Sequence, residues 1–220
     1  MTRKLEVGRQ GPKSGQLKSA VIFLHGYGAD GNDLLGLADP LGPHLPDTLF
    51  LAPDAPEPCT GNPFGRQWFP IPWLDGSSEA EAAAGMQAAV ADLNAFVDEV
   101  LEENGLTPSQ LGIVGFSQGT MMALETFPRR AEPVAGIVAF SGRLLRPEAL
   151  AEEALCKPPV LLAHGDADPV VPFADMGLAG DALVSAGFET YAHVMKNTPH
   201  GTSPDGLSAA LGFLKAKLPG

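Results

Sequence analysis

One serine in the chain has neighbours suited to nucleophilic chemistry. Gly115-Phe116-Ser117-Gln118-Gly119 has the pattern G-x-S-x-G. It follows Leu111-Gly112-Ile113-Val114, which reads as a strand, and precedes a helical stretch that Pro128 must stop. A tight strand-to-helix turn holds such a serine in a strained backbone conformation, and a small residue on each side relieves crowding. Free N–H groups at the helix start, with the positive end of its dipole, then favour a developing oxyanion. A Gly/Ser-rich turn without chemistry has the same letters; the strand before it and the helix after it favour the catalytic reading. Ser141-Gly142 lacks the preceding glycine and an immediate helix, and reads as a loop at a sheet end.

A serine hydroxyl needs a base near neutral pH, and the base needs an orienting acid. Where the serine sits on this kind of turn, the chain order is serine, then Asp or Glu, then His. His200, in Asn197-Thr198-Pro199-His200-Gly201, is the favoured base. His164 and His25 each end a strand before a glycine and are placed to face a site, but neither follows the acid. His193 lies within a strand pattern and reads as a packing residue. His44 reads as a solvated surface residue. Asp166 and Asp168 compete for the acid within His164-Gly165-Asp166-Ala167-Asp168-Pro169-Val170-Val171-Pro172. Position does not separate them, and both are also suited to capping the turn that follows.

The elements that must position these groups are legible. Short apolar runs mark strands at 20–24, 48–52, 111–114, 134–140, 160–163 and 190–195. Such continuous runs suit a parallel sheet covered on both faces. Helices are expected near 32–39, 118–127, 173–186 and 203–217. The clearest begins at the capping box Ser78-Glu79-Ala80-Glu81. Its stripe is Met86, Val90, Leu93, Phe96, Val97, Val100 and Leu101, and Gly105 ends it. Its acidic residues read as a solvated face rather than a metal site. This alternation is the mark of an α/β fold. Residues 53–77 fit neither pattern: they hold six prolines and three glycines. Trp68, Phe69, Ile71, Trp73 and Leu74 make the segment too apolar for disorder. It reads as a loop covering a site, with Trp68 and Phe69 either walling an acyl groove or anchoring the loop in the core.

Composition limits the partners. The chain has 220 residues, enough for a single domain over 1–220, and no linker divides it. With 14 Lys and Arg against 26 Asp and Glu, the formal net charge is −12. That disfavours nucleic acid and anionic membrane surfaces. The basic N-terminus lacks the apolar stretch of a signal peptide, and no run is long enough to span a membrane. Cys59 and Cys156 show no metal or redox spacing and read as lone thiols in a reducing cytoplasm.

The chain resembles the phospholipase/carboxylesterase family of α/β-hydrolases, which includes the acyl-protein thioesterases. The resemblance rests on Phe23-Leu24-His25-Gly26-Tyr27-Gly28, Trp68-Phe69, the motif around Ser117, the string from His164 to Pro172, and His200. It spans 20–217 in the family's order, and H-G-D-x-D-P-x-V-P is far more specific than G-x-S-x-G. The resemblance implies an α/β-hydrolase fold, a mostly parallel central sheet with helices on both faces. It makes the second aspartate of the string, Asp168, the acid. It implies an oxyanion hole of two backbone N–H groups, at Tyr27 and Gln118. Tyr27 stands where relatives usually carry Leu, and Thr120 where they often carry Gly.

The expected activity is a serine carboxylesterase acting on short- to medium-chain esters through an acyl-enzyme, with no metal or organic cofactor. Thioester or lysophospholipid hydrolysis by the same triad is the alternative. A non-catalytic binding module on the same scaffold has no need of all three triad residues. The expected partner is a small ester or thioester, without nucleic acid or stable membrane insertion; a homodimer is compatible with the sequence. Trp68 and Phe69, with Val171 beside the acid, are the candidate substrate contacts.

Overall fold

The computed structural model describes residues 2–219. Its strands are β1 (Val7–Gln10), β2 (Ser19–Leu24), β3 (Thr48–Pro53), β4 (Glu57–Pro58), β5 (Arg66–Gln67), β6 (Leu111–Phe116), β7 (Gly136–Phe140), β8 (Val160–Gly165) and β9 (Thr190–Met195). Its helices are α1 (Gly31–Leu35), α2 (Ala38–Leu41), α3 (Pro72–Asp75), α4 (Glu79–Asn104), α5 (Gln118–Thr126), α6 (Pro147–Glu153), α7 (Ala174–Ser185) and α8 (Pro204–Lys217). Seven strands form one sheet in the order β1-β3-β2-β6-β7-β8-β9. Only β1 runs antiparallel to its neighbour. β4 and β5 form a separate two-stranded hairpin.

Period-two alternation along the strands feeds two cores. Ile22, Leu24, Ile113 and Leu162 face α4, α5 and α7 through Leu93, Phe96, Met122 and Leu183. Val21, Phe23, Val114 and Val138 face the opposite layer through Leu41, Phe213 and Leu214. Strands buried on both faces cannot alternate polar and apolar residues, which is why the sequence shows continuous runs.

The six expected strands are all present. So is α4, with Ser78 and Glu81 closing the capping box and Gly105 in the left-handed conformation, φ 63°. Three details differ from expectation. The helix expected at 32–39 is two short ones, because the chain turns at Gly36 and Leu37. Edge strand β1 and helix α6 were not anticipated: β1 lacks an apolar run, and α6 shows one buried residue, Leu150. Asp92 on α4 is not solvated. It is buried, and it accepts hydrogen bonds from the Arg3 backbone N–H and Nε, both at 2.7 Å.

Candidate active site

Ser117 lies between the end of β6 and the start of α5 with φ 54° and ψ −113°, outside the regions open to ordinary L-residues. The flanking glycines make this turn sterically feasible. A Cβ on Gly119 would stand 1.8 Å from the Leu24 carbonyl oxygen, and one on Gly115 would stand 2.6 Å from the Gly119 carbonyl oxygen. The two glycines therefore let the turn close on itself and let α5 lie against β2. Thr120 is accommodated in the same way. Its hydroxyl donates to the Phe140 carbonyl at 2.8 Å, and its side chain fills the space left by the missing Cβ of Gly142.

His200 and Asp168 meet across the ends of β8 and β9. His200 Nδ1 lies 2.7 Å from Asp168 Oδ2, while Asp168 Oδ1 accepts from the N–H groups of Val170 at 2.8 Å and Val171 at 3.0 Å. Burial alone would raise the Asp168 carboxyl. The His200 ring and the two backbone donors outweigh it and hold the group below the usual carboxylate range. The His200 ring packs at a tilt against Phe116, the neighbour of Ser117, with centroids 4.9 Å apart. The geometry separates the two aspartates that the motif left competing. Asp166 Oδ1 accepts from the Asn197 N–H at 2.6 Å, and its Oδ2 pairs with Lys196 at 3.2 Å. It ties the two loops together and does not meet His200.

The Tyr27 and Gln118 backbone N–H groups, the expected oxyanion donors, have no acceptor among the described residues. Gly26, beside Tyr27, packs so tightly that a Cβ there would stand 3.3 Å from Ser117 Cβ. The loop after β2 thus lies directly against the nucleophile turn. The Tyr27 ring points away toward the covering segment. Burial and the neighbouring Cys59 thiol push its phenol up to about 12.

His25 and His193 have structural roles. His25 is fully buried, its Nε2 accepts the Ala55 N–H at 2.9 Å, and its Nδ1 therefore donates to the Gly26 carbonyl at 2.8 Å. Burial pushes its pKa down, which favours this neutral tautomer. His193 corrects the packing expectation: it is partly exposed, on edge strand β9, and bonds Asp205 at 2.8 Å. Ser141 takes φ 45°, and its hydroxyl donates to the Gly201 carbonyl at 3.3 Å, bracing the His200 loop.

Of the three expected substrate contacts, Phe69 borders an apolar cleft. It lines a cleft of about 210 Å³ with Ile71 and Trp73 from the covering segment, Met86 of α4, Met121 of α5 and Leu145. Met121 lies one turn beyond the nucleophile, its N–H donating to the Ser117 carbonyl at 3.2 Å. Trp68 is wholly enclosed, and its indole N–H donates to the His25 carbonyl at 3.0 Å. Val171 is buried, with both its backbone polar groups engaged beside Asp168. Both are supports rather than walls of this cleft.

One role escaped the sequence. The Gln118 side chain, also fully buried, accepts the Trp68 N–H at 2.9 Å and donates to the Phe69 carbonyl at 2.8 Å. It staples the covering segment to the nucleophile turn. The only hint was a polar amide directly after the nucleophile.

A family model described as Phospholipase/Carboxylesterase matches residues 11–218. The chain belongs to that family. Its fold is the α/β-hydrolase fold, and its class is that of hydrolases acting on ester bonds. It is 29% identical to Esterase YpfH of Escherichia coli strain K12, over 90% of this chain and 83% of that protein. It is 31% identical to Acyl-protein thioesterase 1 of Saccharomyces cerevisiae, over 91% of this chain and 93% of that protein. Among solved structures it is similar to esterase PE8, with a TM-score of 0.93 and 42% identity over 98% of this chain and 100% of that one.

Proposed function

We propose that the protein is a serine carboxylesterase for short- to medium-chain esters, built as a single domain in which residues 53–77 cover the substrate. The observation that carries this reading is the 2.7 Å contact between His200 and Asp168, beside a serine held at positive φ. Because Nδ1 of His200 is turned to Asp168, Nε2 is the nitrogen left to take the Ser117 proton. Ser117 Oγ attacks the ester carbonyl as that proton moves to His200, and the Asp168 carboxylate stabilises the imidazolium. The oxyanion of the tetrahedral intermediate binds the N–H groups of Tyr27 and Gln118. Collapse expels the alcohol, which takes the proton from His200. Water, deprotonated by His200, then attacks the acyl-enzyme; a second tetrahedral intermediate releases the acid and free Ser117. Protein groups and water suffice for every step.

The apolar cleft between Phe69 and Met121 is the place for the acyl chain. Thioester hydrolysis is the second reading, favoured by the likeness to the yeast protein named an acyl-protein thioesterase. Two unpaired, buried cysteines fit a cytoplasmic enzyme. Among the described residues, no helix is long and apolar enough to cross a membrane. The test is a panel of matched oxygen esters and thioesters of increasing acyl length, with a fluorophosphonate probe mapped by mass spectrometry. Labelling at Ser117 with hydrolysis of acetate to octanoate esters is expected. Hydrolysis of thioesters alone moves the assignment to the second reading, and absence of labelling at Ser117 refutes both.

A further inference from the structure

Asp168 lies between two imidazoles, and only one of them belongs to the proposed triad. His164 leaves the same strand four residues earlier and is enclosed, its side chain only 2% exposed. Its Nε2 stands 3.0 Å from the Val171 carbonyl oxygen and 3.3 Å from Asp168 Oδ2. A carbonyl only accepts, so Nε2 carries the proton and donates it to the Val171 carbonyl, with Asp168 Oδ2 in contact beside that bond. The contacts close a ring. His164 donates to the Val171 carbonyl, the Val171 N–H donates to Asp168 Oδ1 at 3.0 Å, and Asp168 Oδ2 faces His164 again. Oδ1 is therefore held by backbone N–H groups, one of them on the Val171 peptide that His164 fixes, and Oδ2 has the His164 ring in contact. Phe173 closes the far side of the His164 ring, edge on, with centroids 6.0 Å apart.

We infer that His164 is a positioning residue for the triad: it fixes the Asp168 carboxylate so that Oδ2 stays on His200 Nδ1. The inference rests on the proposed role of Asp168. A histidine kept for packing alone needs no carboxylate in reach. Here the ring N–H fixes the Val171 peptide, and the backbone N–H groups of Val171 and Val170 set the plane of the one group that orients the base. Without His164, the Val171 carbonyl loses its donor and Oδ2 loses its second contact, while Oδ1 still holds its two backbone bonds. The carboxylate then pivots about Oδ1, and the imidazole it orients turns with it.

The test compares His164→Leu, which keeps apolar bulk and removes the donor, with His164→Gln, whose amide N–H reaches the place of Nε2–H. The readouts are kcat and KM on a short ester, thermal stability, and the hydrogen-bonded His200 Nδ1–H proton by NMR. His164→Leu should lower kcat about 10- to 100-fold, as expected for leaving the buried Val171 carbonyl without its donor and freeing the peptide that holds Asp168. KM should stay within about twofold, and the His200 N–H resonance should broaden or vanish. His164→Gln should regain most of the lost kcat. If His164→Leu does not fold, His164→Asn, whose shorter amide cannot reach the Val171 carbonyl, must show the same fall in kcat. Wild-type kcat per folded molecule in the donor-less variant, or a Gln variant no better than Leu, overturns the role. Asp168→Asn serves as control. If it too keeps wild-type turnover, the triad assignment itself fails; if it is crippled while His164→Leu is not, only the positioning role falls.

Discussion

At the turn around Ser117, the constraints are mostly local: two glycines, a positive φ and the start of α5. Residues 53–77, directly above it, are held quite differently. Besides backbone bonds of Arg66 to Gly28 and Ala29 and the Ala55 N–H on His25, they are fixed by the Gln118 side chain on the Trp68 N–H and Phe69 carbonyl, and by the Trp68 indole on the His25 carbonyl. These partners of Trp68 and Phe69 lie 43 to 50 positions away in the chain. The turn is fixed by its own tight backbone, whereas the covering segment depends on distant partners, and near the turn on buried side-chain contacts that one substitution can remove. On the proposed function, chemistry lies on the part with least freedom and selectivity on the covering segment.

The sharpest test of the turn is Ser117→Ala. The methyl group fits where the hydroxymethyl was, so the fold and melting temperature should be almost unchanged. Ester turnover should fall on the order of 10⁴-fold or more, since triad members act as a unit. Retention of a tenth of the activity would remove Ser117 from the mechanism. The two aspartates come next. Asp168→Asn should cost about 10⁴-fold in kcat, because the amide no longer selects the His200 tautomer. Asp166→Asn keeps an oxygen for the Asn197 N–H and loses the exposed pair with Lys196, whose contribution is small. Its effect should stay within about tenfold. Steady-state kinetics on folded variants that gave the reverse ranking would transfer the acid's role to Asp166.

How much was readable beforehand follows the same division. The strand, turn and helix around Ser117 follow from residues next to one another, so G-x-S-x-G and the apolar run before it reveal them. Asp168 could not be told from Asp166 by position, because the choice depends on which loop each carboxylate meets across the sheet end. The resemblance to the family supplied it. His193 was misjudged because an edge strand exposes what a central strand would bury. Trp68 looked equally suited to groove or core, and its burial is decided by His25 and Gln118, distant in sequence. No periodicity carries that information.

Gln118 links the two regions, and its side chain can be removed while its backbone N–H stays. Gln118→Ala leaves the Trp68 N–H and the Phe69 carbonyl without partners in a buried place, at about 1–3 kcal/mol each before relaxation. Part of that is regained as the segment shifts and water enters. A net loss of about 2 kcal/mol, or roughly 4–8 °C in Tm for a chain of this size, is expected. Amide exchange at Trp68 should accelerate, while the amides of β6 should keep their protection. Equal acceleration in both places would mean that the covering segment and the turn unfold together, and the contrast between them would be false.

The smallest expected effect concerns Phe69, and it separates the two roles a loop aromatic can have. Its ring is buried except toward the cleft, where it faces Met86 and Met121. If the acyl chain lies there, each methylene it buries is worth about 0.8 kcal/mol, close to a factor of four in binding. An acetyl group is too short to gain from the wall, whereas hexanoyl and octanoyl chains gain at each added methylene. Phe69→Ala should therefore lower kcat/KM about fourfold to tenfold more for octanoate than for acetate esters. Some stability will also be lost, since part of the ring packs into the core. That loss is common to all substrates and cancels when one variant is compared across acyl lengths. A ratio of octanoate to acetate activity equal to that of the wild type would give Phe69 the same anchoring role as Trp68. The chain-binding surface would then be sought at Trp73 and Leu145, where the cleft continues toward Arg143.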